Sequence, residues 1–114
     1  MNATDLCYTP ATELSALIAK RALSPVELTR AVLERIERVN PKVNAVCTLT
    51  AEAALEGARR AEDALMRSES RGPLHGLPVT IKDLAFVKGV RNMSGSFIFE
   101  HGAEAPARRV RSAP

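Results

Sequence analysis

Apolar residues recur at helical spacing in three stretches of the chain, and a residue suited to capping a helix precedes each stretch. Thr9 predicts the start of the first helix, which ends near Ala22. Ser24 predicts the start of the second, because Pro25 suits the first helical position and Glu27 can complete a capping box. The pattern therefore predicts two consecutive amphipathic helices in the first part of the chain.

A third helix is predicted to begin at Thr50, after the second has ended at Asn40-Pro41. Its apolar positions are mostly alanine, and small residues allow close packing against a sheet or another helix. A polar surface loop follows from Arg67 to Gly72. The positions predicted to face the core are Leu14, Leu17 and Ile18 in the first helix, Leu28, Val32, Ile36 and Val39 in the second, and Ala54, Ala58, Ala61 and Leu65 in the third.

Two short segments rich in β-branched residues, Val43–Leu49 and Val79–Lys82, are predicted to be strands. The second is too short and too apolar to be an exposed edge. The order helix, helix, strand, helix, strand is typical of an α/β architecture, with the third helix as a crossover. The predicted fold class is therefore α/β.

The composition is that of an ordinary globular protein, with 46% hydrophobic and 25% charged residues in a chain of 114. It excludes a disordered, collagenous or membrane-spanning chain, and the length allows one domain at most. Aromatic residues make up only 4%, so the core must consist of Leu, Val, Ile and Ala, and we expect that the chain does not fold well by itself. No signal-peptide h-region is present and no apolar run approaches the ~18 residues of a membrane span, so a cytoplasmic protein without a membrane partner is predicted.

The net charge of +3, from 16 basic and 13 acidic residues, is weaker than a dedicated nucleic-acid binder usually carries. A small helix-turn-helix protein formed by the first two helices is an alternative from another class. Glu27, Glu34 and Glu37 argue against it, because they would repel phosphates. Cys7 and Cys47 lack metal-ligand spacing, so neither a metal site nor a disulfide framework is predicted.

Lys82 is the candidate catalytic residue, because it directly follows the apolar segment 79–81. An ammonium group among apolar side chains is costly, and desolvation favours the neutral amine, which can relay protons. The alternative is that Lys82 extends to water and pairs with Asp83. His75 and His101 lack a second ligand at metal spacing, so a structural or solvent role is predicted for both and no metal is expected.

The segment Gly72–Asp83 reads G-P-L-H-G-L-P-V-T-I-K-D and resembles the amidase signature family, whose members carry G-P-L-x-G-[IL]-P-x-x-[IV]-K-D. The resemblance extends backwards to the family's N-P-x-x-N-A turn, found here at Asn40–Ala45. It extends forwards to the K-G-V and A-G-S elements, at Lys88–Val90 and Ser94–Ser96. These elements stand in the family's order over about residues 9–100, which makes the resemblance highly specific.

The resemblance implies a serine hydrolase that cleaves carboxylic amides through a Ser-cisSer-Lys triad, in which Lys82 matches the lysine. It implies a small-molecule amide substrate, no cofactor and no metal. It equally fits the A subunit of a glutamyl-tRNA amidotransferase, which would need protein partners and tRNA; otherwise no nucleic-acid partner is predicted. The implied fold is α/β, with the N-terminal helices and first strands of a mixed sheet that is incomplete in this chain.

The sequence departs from the family where the two triad serines should lie, because no G-S-S-G-G or similar run occurs in the 114 residues. Ser94 and Ser96 match a family loop element and are predicted to be structural. The resemblance fades after Glu100, so residues 1–100 are predicted to be an N-terminal amidase segment and residues 101–114 a divergent, disordered tail. We therefore expect an inactive, truncated or frame-shifted amidase, or alternatively a non-catalytic remnant.

Overall fold

The computed structural model of the protein describes residues 1–83, 85 and 87–90. These residues form the helices α1 (Ala3–Tyr8), α2 (Ala11–Ala19), α3 (Pro25–Val43) and α4 (Ala51–Met66). The chain divides into a first unit, Met1–Pro78, and a second unit that begins at Val79. The four helices all belong to the first unit.

Helix α1 has no counterpart among the predicted helices. It is stabilised by a reciprocal capping box: the Asp5 N–H donates to Asn2 Oδ1 at 2.8 Å, and the Asn2 N–H donates to Asp5 Oδ2 at 3.1 Å. Leu6 is its buried residue, with 3% of its surface exposed. A helix of six residues is too short to show a periodic apolar pattern, so only its capping residues signal it in the sequence.

Helix α2 confirms the first predicted helix, although its bounds differ. Its N-cap is Pro10 rather than Thr9, which instead ends α1, and it ends at Ala19 rather than near Ala22. A Schellman motif causes this early end: the Ala22 N–H donates to the Leu17 carbonyl and the Arg21 N–H to the Ile18 carbonyl, both at 2.9 Å. Arg21 adopts the left-handed conformation, with φ of 60°. The chain therefore leaves the helix within one turn and starts α3 shortly afterwards.

Helix α3 confirms the second predicted helix and its start. Ser24 Oγ accepts the N–H of Val26 at 3.1 Å and that of Glu27 at 3.3 Å, and Pro25 occupies the first position. Arg35 on this helix is half-buried, and its Nη2 donates to the hydroxyl of Tyr8 at 3.0 Å. The local capping signal therefore fixed where this helix begins.

The predicted end of α3 at Asn40-Pro41 is wrong, because the helix continues to Val43. Proline removes one backbone donor, but the loss falls in the last turn, where the Asn44 N–H still donates to the Asn40 carbonyl at 2.7 Å. Asn44 then ends the helix in the left-handed conformation, with φ of 48°. Asparagine adopts this conformation more readily than most residues.

The predicted strand at residues 43–49 is also wrong: Val43 belongs to α3, and the following residues are irregular. The Asn40 side chain explains this difference. Its Nδ2 donates to the Val46 carbonyl at 3.1 Å, and its Oδ1 accepts the Val46 N–H at 2.9 Å. Because these bonds occupy both backbone groups that a sheet would use at Val46, the segment folds back onto the end of α3.

Helix α4 confirms the third predicted helix and the polar loop after it. A second Schellman motif closes it, with the Glu69 N–H donating to the Ala64 carbonyl at 2.8 Å and the Ser68 N–H to the Leu65 carbonyl at 3.0 Å. Arg21 Nη2 lies 3.1 Å from the Leu65 carbonyl and 3.2 Å from Ser68 Oγ. A cation from the end of α2 is therefore held at the negative end of the α4 dipole.

The core of the first unit connects all four helices, and α3 packs against both α1 and α4. Leu28 and Ile18 are its most buried large side chains, at 1% and 2% exposure. The prediction of a purely aliphatic core is confirmed for the described residues. The buried members are Leu6, Leu14, Ile18, Leu23, Leu28, Ala31 and Leu65, and Ala3, Leu17, Val32 and Leu77 pack against them.

The predicted strand Val79–Lys82 is irregular as well, and its apolar side chains are exposed, Val79 by 63% and Ile81 by 45%. A strand requires a neighbouring strand to complete its ladder of hydrogen bonds, and the described residues include no strand. Among the described residues, the helices expected of an α/β protein are therefore present and the expected strands are not.

Candidate active site

The lysine-bearing segment Gly72–Asp83 begins with two consecutive turns after the α4 loop. The His75 N–H donates to the Gly72 carbonyl and the Leu77 N–H to the Leu74 carbonyl, both at 3.1 Å. The Leu77 side chain packs against the core, whereas Leu74 is 60% exposed. The first half of the segment is therefore a folded part of the first unit.

Gly76 is required at its position for two reasons. Its φ of +83° lies in the region that side chains with a Cβ rarely adopt. A Cβ at this position would also lie 2.9 Å from Pro25 Cγ and 3.4 Å from Ile18 Cγ2. The backbone of the segment therefore rests directly against α2 and the start of α3.

Two side chains also attach the segment to the helices. Ser15 Oγ on α2 donates to the Pro73 carbonyl at 2.5 Å. His75 is 8% exposed; its Nε2 lies 2.8 Å from the Ala61 carbonyl on α4, and its Nδ1 lies 3.4 Å from the Arg71 backbone nitrogen. The structural role predicted for His75 is confirmed. Ser15 gives no signal in the sequence, because its partner is 58 positions away.

Lys82 lies in the second unit, and its side chain is exposed. The predicted placement among apolar neighbours is wrong for the described residues, because the preceding segment forms no strand and does not enclose the lysine. The exposed side chain of Lys82 matches the alternative prediction that it extends to water. The Lys82 carbonyl accepts the Ala85 N–H at 3.0 Å in a turn, beside a half-buried Asp83.

Other predicted elements lie at the edge of the described residues or outside them. Lys88–Val90, the K-G-V element, forms a turn in which the Val90 N–H donates to the Val87 carbonyl at 3.1 Å. Ser94, Ser96, His101 and the predicted division at Glu100 lie outside the described residues. Lys82 is therefore the predicted catalytic residue that lies within the described residues.

The described residues do not gather three His, Cys, Asp or Glu side chains that could hold a metal ion. Cys7 and Cys47 are both unbridged, and Cys7 Sγ donates to the Ala31 carbonyl at 3.6 Å. None of α1 to α4 is long and apolar enough to cross a bilayer.

Comparison with known proteins gives a family match over most of the chain. The model of the Amidase family matches residues 27–112, a range that contains the whole lysine-bearing segment. No solved structure matches the chain. The match therefore rests on sequence alone.

Curated relatives include the A subunits of the glutamyl-tRNA(Gln) amidotransferases of three bacteria. That of Methylococcus capsulatus is 48% identical over 84 residues, which are 74% of this chain and 17% of the relative. That of Moorella thermoacetica is 44% identical over 92 residues, 81% of this chain and 19% of the relative. That of Carboxydothermus hydrogenoformans is 39% identical over 97 residues, 85% of this chain and 20% of the relative. The chain thus spans about a fifth of the length of these relatives.

Proposed function

Because this chain belongs to the amidase family, we propose that it supplies the lysine-bearing part of an enzyme that hydrolyses carboxylic amides. The observation that carries this proposal is the position of Lys82 at the end of the Gly72–Asp83 motif, within the matched range 27–112. Family membership supports a hydrolase of C–N bonds. The catalytic role of Lys82 is the part of the proposal that goes beyond family membership.

In the proposed mechanism, Lys82 acts as a base through a middle serine. The neutral amine takes the proton of the middle serine, and the middle serine takes the proton of the nucleophilic serine as the nucleophilic oxygen attacks the amide carbonyl. The tetrahedral intermediate then breaks its C–N bond, the leaving nitrogen takes the relayed proton, and an acyl-enzyme forms. Water hydrolyses the ester and releases the carboxylic acid. The two serines must come from polypeptide beyond these 114 residues, which contain no G-S-S-G-G run.

The surroundings of Lys82 in this mechanism differ from those in the described residues. We propose that Val79–Lys82 becomes a strand of a mixed sheet when its neighbouring strands are present. The exposure of Val79 and Ile81, 63% and 45%, supports this step, because exposed apolar side chains favour burial. Pairing would also remove water from the lysine and favour its neutral amine.

A chimeric enzyme tests the proposal. The 84 matching residues of this chain replace their counterparts in the Methylococcus capsulatus relative, and ammonia release is measured from a panel of primary carboxylic amides. We expect the chimera to hydrolyse amides that its parent hydrolyses, and Lys82→Ala to lower kcat by about 10⁴-fold, as for other triad members. The unfused 114-residue chain is expected to release no ammonia.

Two controls separate catalysis from folding. Lys42→Ala removes another exposed lysine, at the end of α3, and should leave kcat unchanged. Lys82→Arg keeps the charge but holds its proton permanently, so it should be as inactive as Lys82→Ala. The proposal is wrong if a folded Lys82→Ala chimera is as active as the unsubstituted chimera, or if the unfused chain hydrolyses amides by itself.

The names of the relatives favour a second candidate within the same family. Each is the A subunit of a glutamyl-tRNA(Gln) amidotransferase, so this chain would contribute to a complex that acts on glutamyl-tRNA(Gln). Adding the remaining subunits of the Methylococcus enzyme to the chimera tests this, with amidation of glutamyl-tRNA(Gln) as the readout. A chimera that releases ammonia but neither binds those subunits nor amidates the tRNA would leave simple amide hydrolysis as the function.

A further inference from the structure

His75 is a buried titratable residue for which the proposed mechanism has no use. With 8% of its surface exposed, it is one of two buried polar residues in the described part of the chain. Both of its ring nitrogens face backbone atoms of other residues rather than solvent or a side chain. A buried polar group with two specific partners indicates a fixed position rather than incidental burial.

The two partners belong to different parts of the first unit. The Ala61 carbonyl lies in the interior of α4, 2.8 Å from Nε2, and the Arg71 N–H donates to Nδ1 at 3.4 Å. A neutral imidazole with its proton on Nε2 satisfies both bonds at once, because Nδ1 then accepts and Nε2 donates. This tautomer is inferred from the two partners. The ring therefore connects α4 to the residue just before the first turn of the lysine-bearing segment.

The turns that follow are held on three sides. Ser15 holds the Pro73 carbonyl from α2, Gly76 rests on Pro25 and Ile18, and Leu77 packs into the core. The hydrogen bond of His75 differs from these three attachments, because it joins the segment to α4. The first unit ends at Pro78, and Lys82 follows four residues later.

We propose that His75 is a positioning residue: it holds residues 71–77 against α4 and so fixes the point at which the chain leaves the first unit. Its relevance to catalysis rests on the proposed function of Lys82. The attachment itself does not, because it lies entirely within the first unit. Loss of the imidazole should release residues 71–77 locally while the four-helix core stays folded.

Amide hydrogen exchange measures this local release. In the 114-residue chain, His75→Ala should speed exchange of the Arg71 and Leu77 amides by roughly tenfold relative to amides in the middle of α3. Ala58→Gly serves as the matched control, because it weakens α4 at another buried position and leaves both imidazole bonds in place. This control variant should change the rate of amide exchange by the same factor at residues 71–77 and in α3.

Substitution of His75 by glutamine or by asparagine distinguishes the contributions of its two hydrogen bonds. His75→Gln can place a donor near the Nε2 position and should preserve protection of Leu77 but not of Arg71. His75→Asn can place an acceptor near the Nδ1 position and should preserve protection of Arg71 but not of Leu77. In the unsubstituted chain, the ¹⁵N shifts of the imidazole should show a single tautomer with its proton on Nε2.

The chimera provides the catalytic readout. His75→Ala should lower kcat for amide hydrolysis with little change in KM, and His75→Gln should restore part of it. The inference is overturned if His75→Ala exchanges like the unsubstituted chain at Arg71 and Leu77, or if its faster exchange is equally large in α3. An inactive chimera would count against the proposed function, whereas the exchange experiment would still decide the role of His75.

Discussion

The first unit has a buried aliphatic core, whereas the described start of the second unit leaves Val79 and Ile81 exposed, by 63% and 45%. The difference follows from the kind of hydrogen bond each region needs. Helices complete their bonds within one segment, and short caps such as Ser24 complete their ends. A strand depends on another strand, so residues 79–82 have the composition of a strand without its structure.

This difference also separates the scaffold from the proposed chemistry. The turns at residues 72–77 are attached to α2, α3 and α4, but Lys82 lies beyond them in an exposed, irregular stretch. The first half of the motif is therefore packed within the first unit, whereas the half that carries Lys82 is exposed. The following substitutions test where this boundary lies.

The largest effect is expected from paired truncations in the two regions. Leu28→Ala should lower the free energy of unfolding by about 3 kcal/mol, because it leaves a cavity at a side chain that is 1% exposed. Val79→Ala, at 63% exposure, should change it by less than about 0.5 kcal/mol. Urea denaturation followed by circular dichroism measures both. Similar losses for the two variants would show that Val79 is part of a packed core.

An intermediate effect is expected from two glycines of the lysine-bearing segment. Gly76→Ala should cost about 2 kcal/mol, because the left-handed backbone and the contact 2.9 Å from Pro25 Cγ both oppose a Cβ. Gly72→Ala meets nothing within 4 Å and should cost about 1 kcal/mol through its positive φ alone. Thermal unfolding of both variants makes the comparison. Equal losses would mean that the close approach to Pro25 contributes nothing.

The smallest effect is expected from two helix starts. Ser24→Ala should lower stability by about 1 kcal/mol, because its hydroxyl accepts two backbone N–H groups of α3. Thr50 holds the same position in α4 without a side-chain capping bond, so Thr50→Ala should have almost no effect. Denaturation midpoints measure the difference. A larger loss at Thr50 would contradict the capping geometry.

Part of the first unit could be predicted from its sequence. The start of α3 follows from its capping residue Ser24. Apolar spacing predicted the burial of Leu28, Ala58 and Leu65, but not that of Pro25, Thr29, Ala31 and Ala64. The strand predicted at 43–49 fails because Asn40 binds the backbone of Val46, a contact that β-branched composition does not reveal. Helix α3 passes Pro41 for a similar reason, since its last turn keeps the bond from Asn44 to Asn40.

The candidate site divides in the same way. The identity of Lys82 and its family follow from the order of residues in the Gly72–Asp83 motif, which needs no structure. The contacts of His75 with Ala61 and of Ser15 with Pro73 could not be predicted, because the partners are 14 and 58 positions apart in sequence. Of the two placements considered for Lys82, the described residues match the exposed one, because residues 79–81 form no strand that could enclose it.

The sequence by itself determined the family, the candidate lysine and the helices whose caps and apolar faces lie within a few residues of each other. Only the tertiary structure decided that His75 is buried against α4 and that Gly76 must lack a Cβ. The physical reason is the range of the interaction. A helix is stabilised by bonds that span about four residues, whereas the attachments of the lysine-bearing segment form only after distant parts of the chain have packed together.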